Sequence, residues 1–139
     1  MNLQISQSLI GNHAGPGIFI NRISKILINK HKVKIVAKNP DIYLTGINYE
    51  PDIKHTNVVF RVDGCYYDRT VHMYHHRNKS IKKGIKNYKG CIYQSLFSKK
   101  LTQSILGVFN VESEIIYNGF DQTIVDSVKP MEKDCRWLF

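Results

Sequence analysis

The chain has 139 residues, with 20 Lys and Arg against 11 Asp and Glu, a formal charge of +9 and a pI near 9.5. That length suits one well-buried domain and excludes two ordinary ones. No run approaches the ~20 apolar residues of a membrane helix, and the opening Met1-Asn2-Leu3-Gln4-Ile5-Ser6-Gln7 lacks the basic start and apolar stretch of a signal peptide, so a soluble, cytoplasmic protein is expected.

Leu3 and Ile5 alternate with polar neighbours and predict a first strand. It runs into a glycine-rich turn, Gly11-Asn12-His13-Ala14-Gly15-Pro16-Gly17. Backbone N–H groups at a helix start lack intrahelical partners and carry the positive end of the dipole, so a phosphate can settle there once side chains are removed. Pro16 suits the first helical position, because its fixed φ is helical and its missing N–H is one the helix does not use. The turn is not a G-x-G-x-x-G dinucleotide fingerprint, and Gly15 and Gly17 serve equally well in a tight turn that binds nothing.

Phe19, Ile23, Ile26 and Leu27 then share one face of a helix, with Arg22, Lys25 and Asn29 opposite. Val33, Ile35 and Ala37 predict a second strand, and Ile42-Tyr43-Leu44 before Gly46 a short third one. The β-branched and aromatic run Val58-Val59-Phe60-Arg61-Val62 predicts a fourth, ending in the turn pair Asp63-Gly64. Ile81, Ile85 and Tyr88 mark a second helix, which Gly84 weakens and Gly90 closes as a left-handed cap. Cys91-Ile92-Tyr93 reads as a buried strand. Ser95 or Ser98 caps a third helix with Phe97, Leu101 and Ile105 on its inner face and Gly107 at its end. Glu114-Ile115-Ile116-Tyr117 is the last strand, before Asn118-Gly119.

Strands alternating with helical crossovers imply an α/β fold, a Rossmann-like, doubly wound and mostly parallel sheet with helices on both faces. Ligands of such sheets lie beyond the carboxyl ends of the strands. The residues that reach that edge are Gly15 and Gly17 after strand one, Arg61, Asp63 and Gly64 at strand four, Gln94 and Ser95 at strand five, and Asn118, Gly119 and Asp121 at strand six.

Other features are less specific. Cys65, Cys91 and Cys135 are odd in number and widely spaced, which supplies neither a disulfide framework nor a C-x-x-C motif. His72, His75 and His76 have no carboxylate or thiol at metal-ligand spacing, so no metal site is expected. Lysines such as Lys79, Lys82, Lys83, Lys86 and Lys99 are spread over helix surfaces without interleaved aromatics or a readout motif. They read as a solvated face, or one drawn weakly to a membrane surface as a peripheral contact, ahead of a nucleic-acid site.

Four blocks carry a family resemblance. Val59-Phe60-Arg61-Val62-Asp63-Gly64, then Asn78, then Ile92-Tyr93-Gln94-Ser95-x-Phe97-Ser98-Lys99, then Ile116-Tyr117-Asn118-Gly119-Phe120-Asp121 resemble, in order and spacing, the amino-terminal domain of GT-B glycosyltransferases of the large retaining family that includes sucrose synthase-like enzymes. Gly15-Pro16-Gly17 is similar to the turn after their first strand. The resemblance covers residues 1–121, and residues 122–139 look like a linker and the start of a carboxyl-terminal domain that is otherwise missing.

The resemblance implies transfer of a sugar from an activated donor, often a nucleotide sugar acting as co-substrate, to a carbohydrate or other glycosylatable acceptor held by this domain. Gly15 and Gly17 would let backbone approach the donor phosphate or the acceptor, and Asp63, the catalytic candidate, would face the sugar. Arg61, Tyr67 and Arg69 would line the acceptor side; Asn118, Gly119 and Asp121 would form the hinge edge. Catalysis in the family is largely electrostatic, with cations and helix ends rather than a bound metal stabilising the leaving diphosphate. With the donor half absent, the chain is expected to need a separate donor-binding domain. A non-catalytic binding or assembly module of the same fold, docking through the apolar end near Trp137, is the alternative.

Overall fold

A computed structural model describes residues 1–10, 15–46 and 48–119. Six strands, β1 (Asn2–Ile5), β2 (Lys34–Ile35), β3 (Ile42–Gly46), β4 (Val58–Val62), β5 (Gly90–Tyr93) and β6 (Glu112–Ile115), alternate with helices α1 (Gly15–His31), α2 (Tyr74–Asn87) and α3 (Leu96–Leu106). Every strand pair is parallel and the order is β2-β1-β3-β4-β5-β6. The α/β class and parallel sheet read from the sequence are therefore the observed ones.

The chain steps one way from β1 to β2 and the other way from β3 to β6. Right-handed crossovers then require helices on opposite faces. Leu3, Ile5 and Leu44 accordingly pack beneath Phe19 and Ile20 of α1. Val58, Phe60 and Val62, on the other face, pack with Ile81 and Ile85 of α2 and Leu106 of α3. Between β3 and β4 no helix intervenes among the described residues. That connection bears Tyr49 and Ile53, which pack against the second core.

Several helix details differ from the apolar pattern. Ile26 is 49% exposed, and Ile20 takes its place on the inner face of α1. In α3 the buried stripe is Ser98, Thr102 and Leu106, while Phe97 is 73% exposed. Ser98 Oγ reaches the Asp63 carbonyl at 3.5 Å, so the inner face of α3 meets the turn after β4 with a hydroxyl rather than a large apolar group. Gly90 opens β5 instead of capping α2, whose last carbonyls are closed by the Tyr88 N–H bonding to Gly84. β2 is reduced to Lys34–Ile35, and β6 lies two residues earlier than its pattern, leaving Tyr117 outside it and exposed.

Ser95 is the α3 cap, its Oγ accepting from the Ser98 N–H at 3.0 Å, and Gly107 ends the helix at φ +98°. Ser95→Ala removes the acceptor and lowers stability by about 1 kcal/mol, read as a lower denaturant midpoint at unchanged slope. Among the described residues no helix is long and apolar enough to cross a membrane.

Candidate functional site at the carboxyl edge of the sheet

Alternation along β4 sends Phe60 and Val62 into the α2 core, so Arg61 must enter the α1 side. Its guanidinium carbon lies 3.9 Å from the centre of the Phe19 ring, and the residue is only 2% exposed. Nη1 donates to the Pro16 carbonyl in the first turn of α1 at 3.3 Å, and Nη2 to Asn118 Oδ1 beyond β6 at 3.3 Å. Nη2 also stands 2.7 Å from Asp63 Oδ1, an ion pair without an aligned hydrogen bond. One buried cation thereby joins α1, β4 and the segment after β6.

The cluster extends across β5. The Gln94 side-chain amide donates to the Asp63 carbonyl, and its Oε1 accepts from Asn118 Nδ2 at 3.0 Å. Asp63 keeps its side chain 29% exposed at the rim. Burial pushes its carboxyl above the ordinary carboxylate range, and the Arg61 charge pulls it only part of the way back. Burial likewise lowers Arg61, against the pull of Asp63.

The other expected site residues divide. Gly15 is exposed at the start of α1, with nothing within 4 Å of the position of a Cβ among the described residues, whereas Gly17 is buried within the helix. Gly119 lies beside α1, its carbonyl accepting from Arg22 Nη1 at 2.8 Å. Ser95 is occupied as a cap. Gly64 borders a cleft of about 260 Å³ whose walls include Asp63, Cys65 and Tyr66. Tyr67 and Arg69 are exposed in the loop after it, and neither is among the hydrogen-bond or ion-pair partners of the Arg61 cluster within the described residues. Asp121 and the remainder of the Gly11–Gly17 turn, residues 11–14, lie outside the described residues, as does Trp137. Asn78 is a clamp: its amide accepts from the Tyr66 N–H at 3.0 Å and donates to the Tyr66 carbonyl at 2.8 Å. No group of three His, Cys, Asp or Glu side chains that could hold a metal occurs among the described residues.

A second polar group escaped the sequence reading. With strand order reversing between β1 and β3, the switch point lies there, and Ser6, Ser8 and Thr45 all donate to Glu50 Oε1, at 2.5, 2.9 and 2.6 Å. The Tyr88 hydroxyl holds the Glu50 backbone, accepting from its N–H and donating to its carbonyl. Burial and the Glu50 charge raise the Tyr43 phenol beside it. A cavity of about 640 Å³ opens next to Tyr43, Tyr49 and Glu50. Ser6 and Thr45 were visible as strand-end hydroxyls, but their meeting depends on a strand order that no local pattern encodes.

Gly46 connects the two groups. A Cβ there would lie 3.0 Å from the Arg61 carbonyl and 3.2 Å from Arg61 Cβ, so any larger residue would have to push β4 back by a few tenths of an ångström. The result is a polar rim running from Ser6 to Asn118. Compared with known proteins, the chain matches no family model, no curated protein and no solved structure.

Proposed function

We propose that this domain handles carbohydrate at its carboxyl edge, as the acceptor-side domain of a sugar transferase that uses an activated, nucleotide-sugar donor. The observation that supports the reading is the joining of Arg61, Asp63, Gln94 and Asn118, drawn from three separate sequence blocks, into one cluster beside the first turn of α1. Asp63 is the partly exposed carboxylate of the cluster, suited to accept hydrogen bonds from sugar hydroxyls. Gln94 and Asn118 lock each other in place. The start of α1 carries the positive end of the helix dipole, which suits a donor phosphate or a leaving diphosphate.

Arg61 is spent on Pro16, Asp63 and Asn118, so its role is to position the edge rather than to touch substrate. Sugar transfer then needs a second, donor-binding domain to close over the rim, in this chain or in a partner. A cytoplasmic location at a membrane periphery accords with this. A non-catalytic assembly module is the second reading, favoured by Ile116 and Tyr117, which lie exposed at the outer end of the sheet.

The test is amide NMR of the full chain titrated with UDP-glucose, GDP-mannose and short oligosaccharides, alongside release of nucleotide from the same donors. Shifts concentrated at Asp63, Gly64, Gln94, Ser95 and Asn118 are expected. Asp63→Asn should weaken oligosaccharide binding about tenfold, the loss of one charge-assisted hydrogen bond. No shift at these positions with any sugar, together with a stable protein complex, would select the assembly reading.

A further inference from the structure

The positive charge is not spread evenly. Between Arg69 and Val111 there are nine Lys and Arg and no Asp or Glu, so this stretch holds the whole formal charge of +9, and the rest of the chain has eleven of each sign. It comprises α2, β5 and α3, whose two helices cover the same face of the sheet. With Asn78, Ile81, Gly84 and Ile85 turned inward, α2 presents Arg77, Lys79, Lys82, Lys83 and Lys86 to solvent. Glu112 and Glu114 of β6 pair with Gly90 and Ile92, in the register that faces away from the Cys91 and Tyr93 core side.

Both helices begin at the carboxyl edge, and there the chain exposes apolar side chains: Val71 and Met73 before α2, Leu96 and Phe97 in the first turn of α3. A row of lysines ending in exposed aliphatic and aromatic groups matches the two attractions that hold a protein on an anionic bilayer. Cations meet the headgroups, and apolar groups enter the boundary below them. A nucleic acid would satisfy the lysines but leave Val71, Met73 and Leu96 without partners, since its bases stack on aromatic rings.

We infer that the outer face of α2 and α3 is a docking surface for a membrane rich in anionic lipid, with Val71, Met73, Leu96 and Phe97 entering the headgroup layer. This goes beyond the sugar-transfer reading and stands without it. Docked this way, the polar rim opens beside the headgroups.

Flotation of the full chain with phosphatidylcholine vesicles, with and without about one third phosphatidylglycerol, tests it. Binding is expected to the anionic vesicles alone and should fall steeply from ~0.1 M to ~1 M salt, as the screening length shrinks from about 10 to about 3 Å. Changing Lys79, Lys82, Lys83 and Lys86 together to Gln should weaken binding at least about tenfold. The charge-matched set Lys25→Gln, Lys30→Gln, Lys34→Gln and Lys38→Gln should leave it intact. Met73→Ser with Phe97→Ser, both at exposed positions, should weaken vesicle binding about tenfold. Equal losses in the two lysine sets would overturn the proposal, because net charge rather than a surface would then be responsible. Tighter binding to duplex DNA or single-stranded RNA, indifferent to Met73 and Phe97, would assign the face to nucleic acid instead.

Discussion

Replacing Arg61 by methionine is expected to lower the free energy of unfolding by about 3 kcal/mol at neutral pH, because it strands the buried Oδ1 of Asp63 without its cation. Methionine keeps apolar volume against Phe19, so packing alone does not account for the loss. Adding Asp63→Asn to Arg61→Met should recover at least half of it, since the unpaired charge is then gone. Denaturant unfolding of the two single variants and the double variant measures the coupling.

The pH dependence of this pair has a definite sign. Asp63 titrates above its ordinary value in the folded chain, so between the two values the native state holds a proton that the unfolded state has released. Its contribution is fully present below the ordinary aspartate value and is lost as pH rises through the raised one. Without Arg61 the carboxyl moves higher still, and the loss deepens. The stability gap between Arg61→Met and the parent chain should therefore narrow in acid and widen toward neutrality. A gap that stays constant with pH would mean that contact with Phe19, not charge, carries the effect of Arg61.

Gly84→Val is expected to cost about 3 kcal/mol, and Gly84→Ala about 1–2 kcal/mol, despite the gain of roughly 1 kcal/mol in helix propensity on leaving glycine. The reason is the close seat of α2 on β4: a Cβ at Gly84 would lie 2.7 Å from two carbons of the fully buried Phe60 ring. Either the ring leaves its rotamer or the helix lifts from the sheet. Phe60→Leu should soften the penalty of Gly84→Ala, so that the double variant is more stable than the sum of the single losses. Strict additivity would show that the helix, not the ring, absorbs the strain.

Much of the site is a consequence of features readable in one dimension. β4 coincides with the Val58–Val62 run, because β-branched residues followed by Asp-Gly leave few other conformations. A parallel sheet then collects the residues that follow its strands along one edge, and the adjacency of β4, β5 and β6 in the folded sheet brings Asp63, Gln94 and Asn118 together there. Ser95 and Gly107 mark the ends of α3 by cap chemistry, which is equally local.

Other features needed the third dimension. Apolar spacing alone turned the inner face of α3 toward Phe97, where the fold buries Ser98 and Thr102, with Ser98 Oγ at the Asp63 carbonyl. Gly84 read as a helix weakness and is instead the point of contact with Phe60. Arg61, read as part of an acceptor surface, is buried and committed to Pro16, Asp63 and Asn118.

The amino-acid sequence by itself determined the α/β class, the strands and the residues at their carboxyl ends, because propensity, periodicity and turn chemistry act over a few neighbouring residues. Only the tertiary structure decided the strand order, the burial of Arg61, the Glu50 group at the β1–β3 switch and the gathering of positive charge on one face. Each of these depends on distances between segments far apart in the chain, which are set by how helices and strands pack.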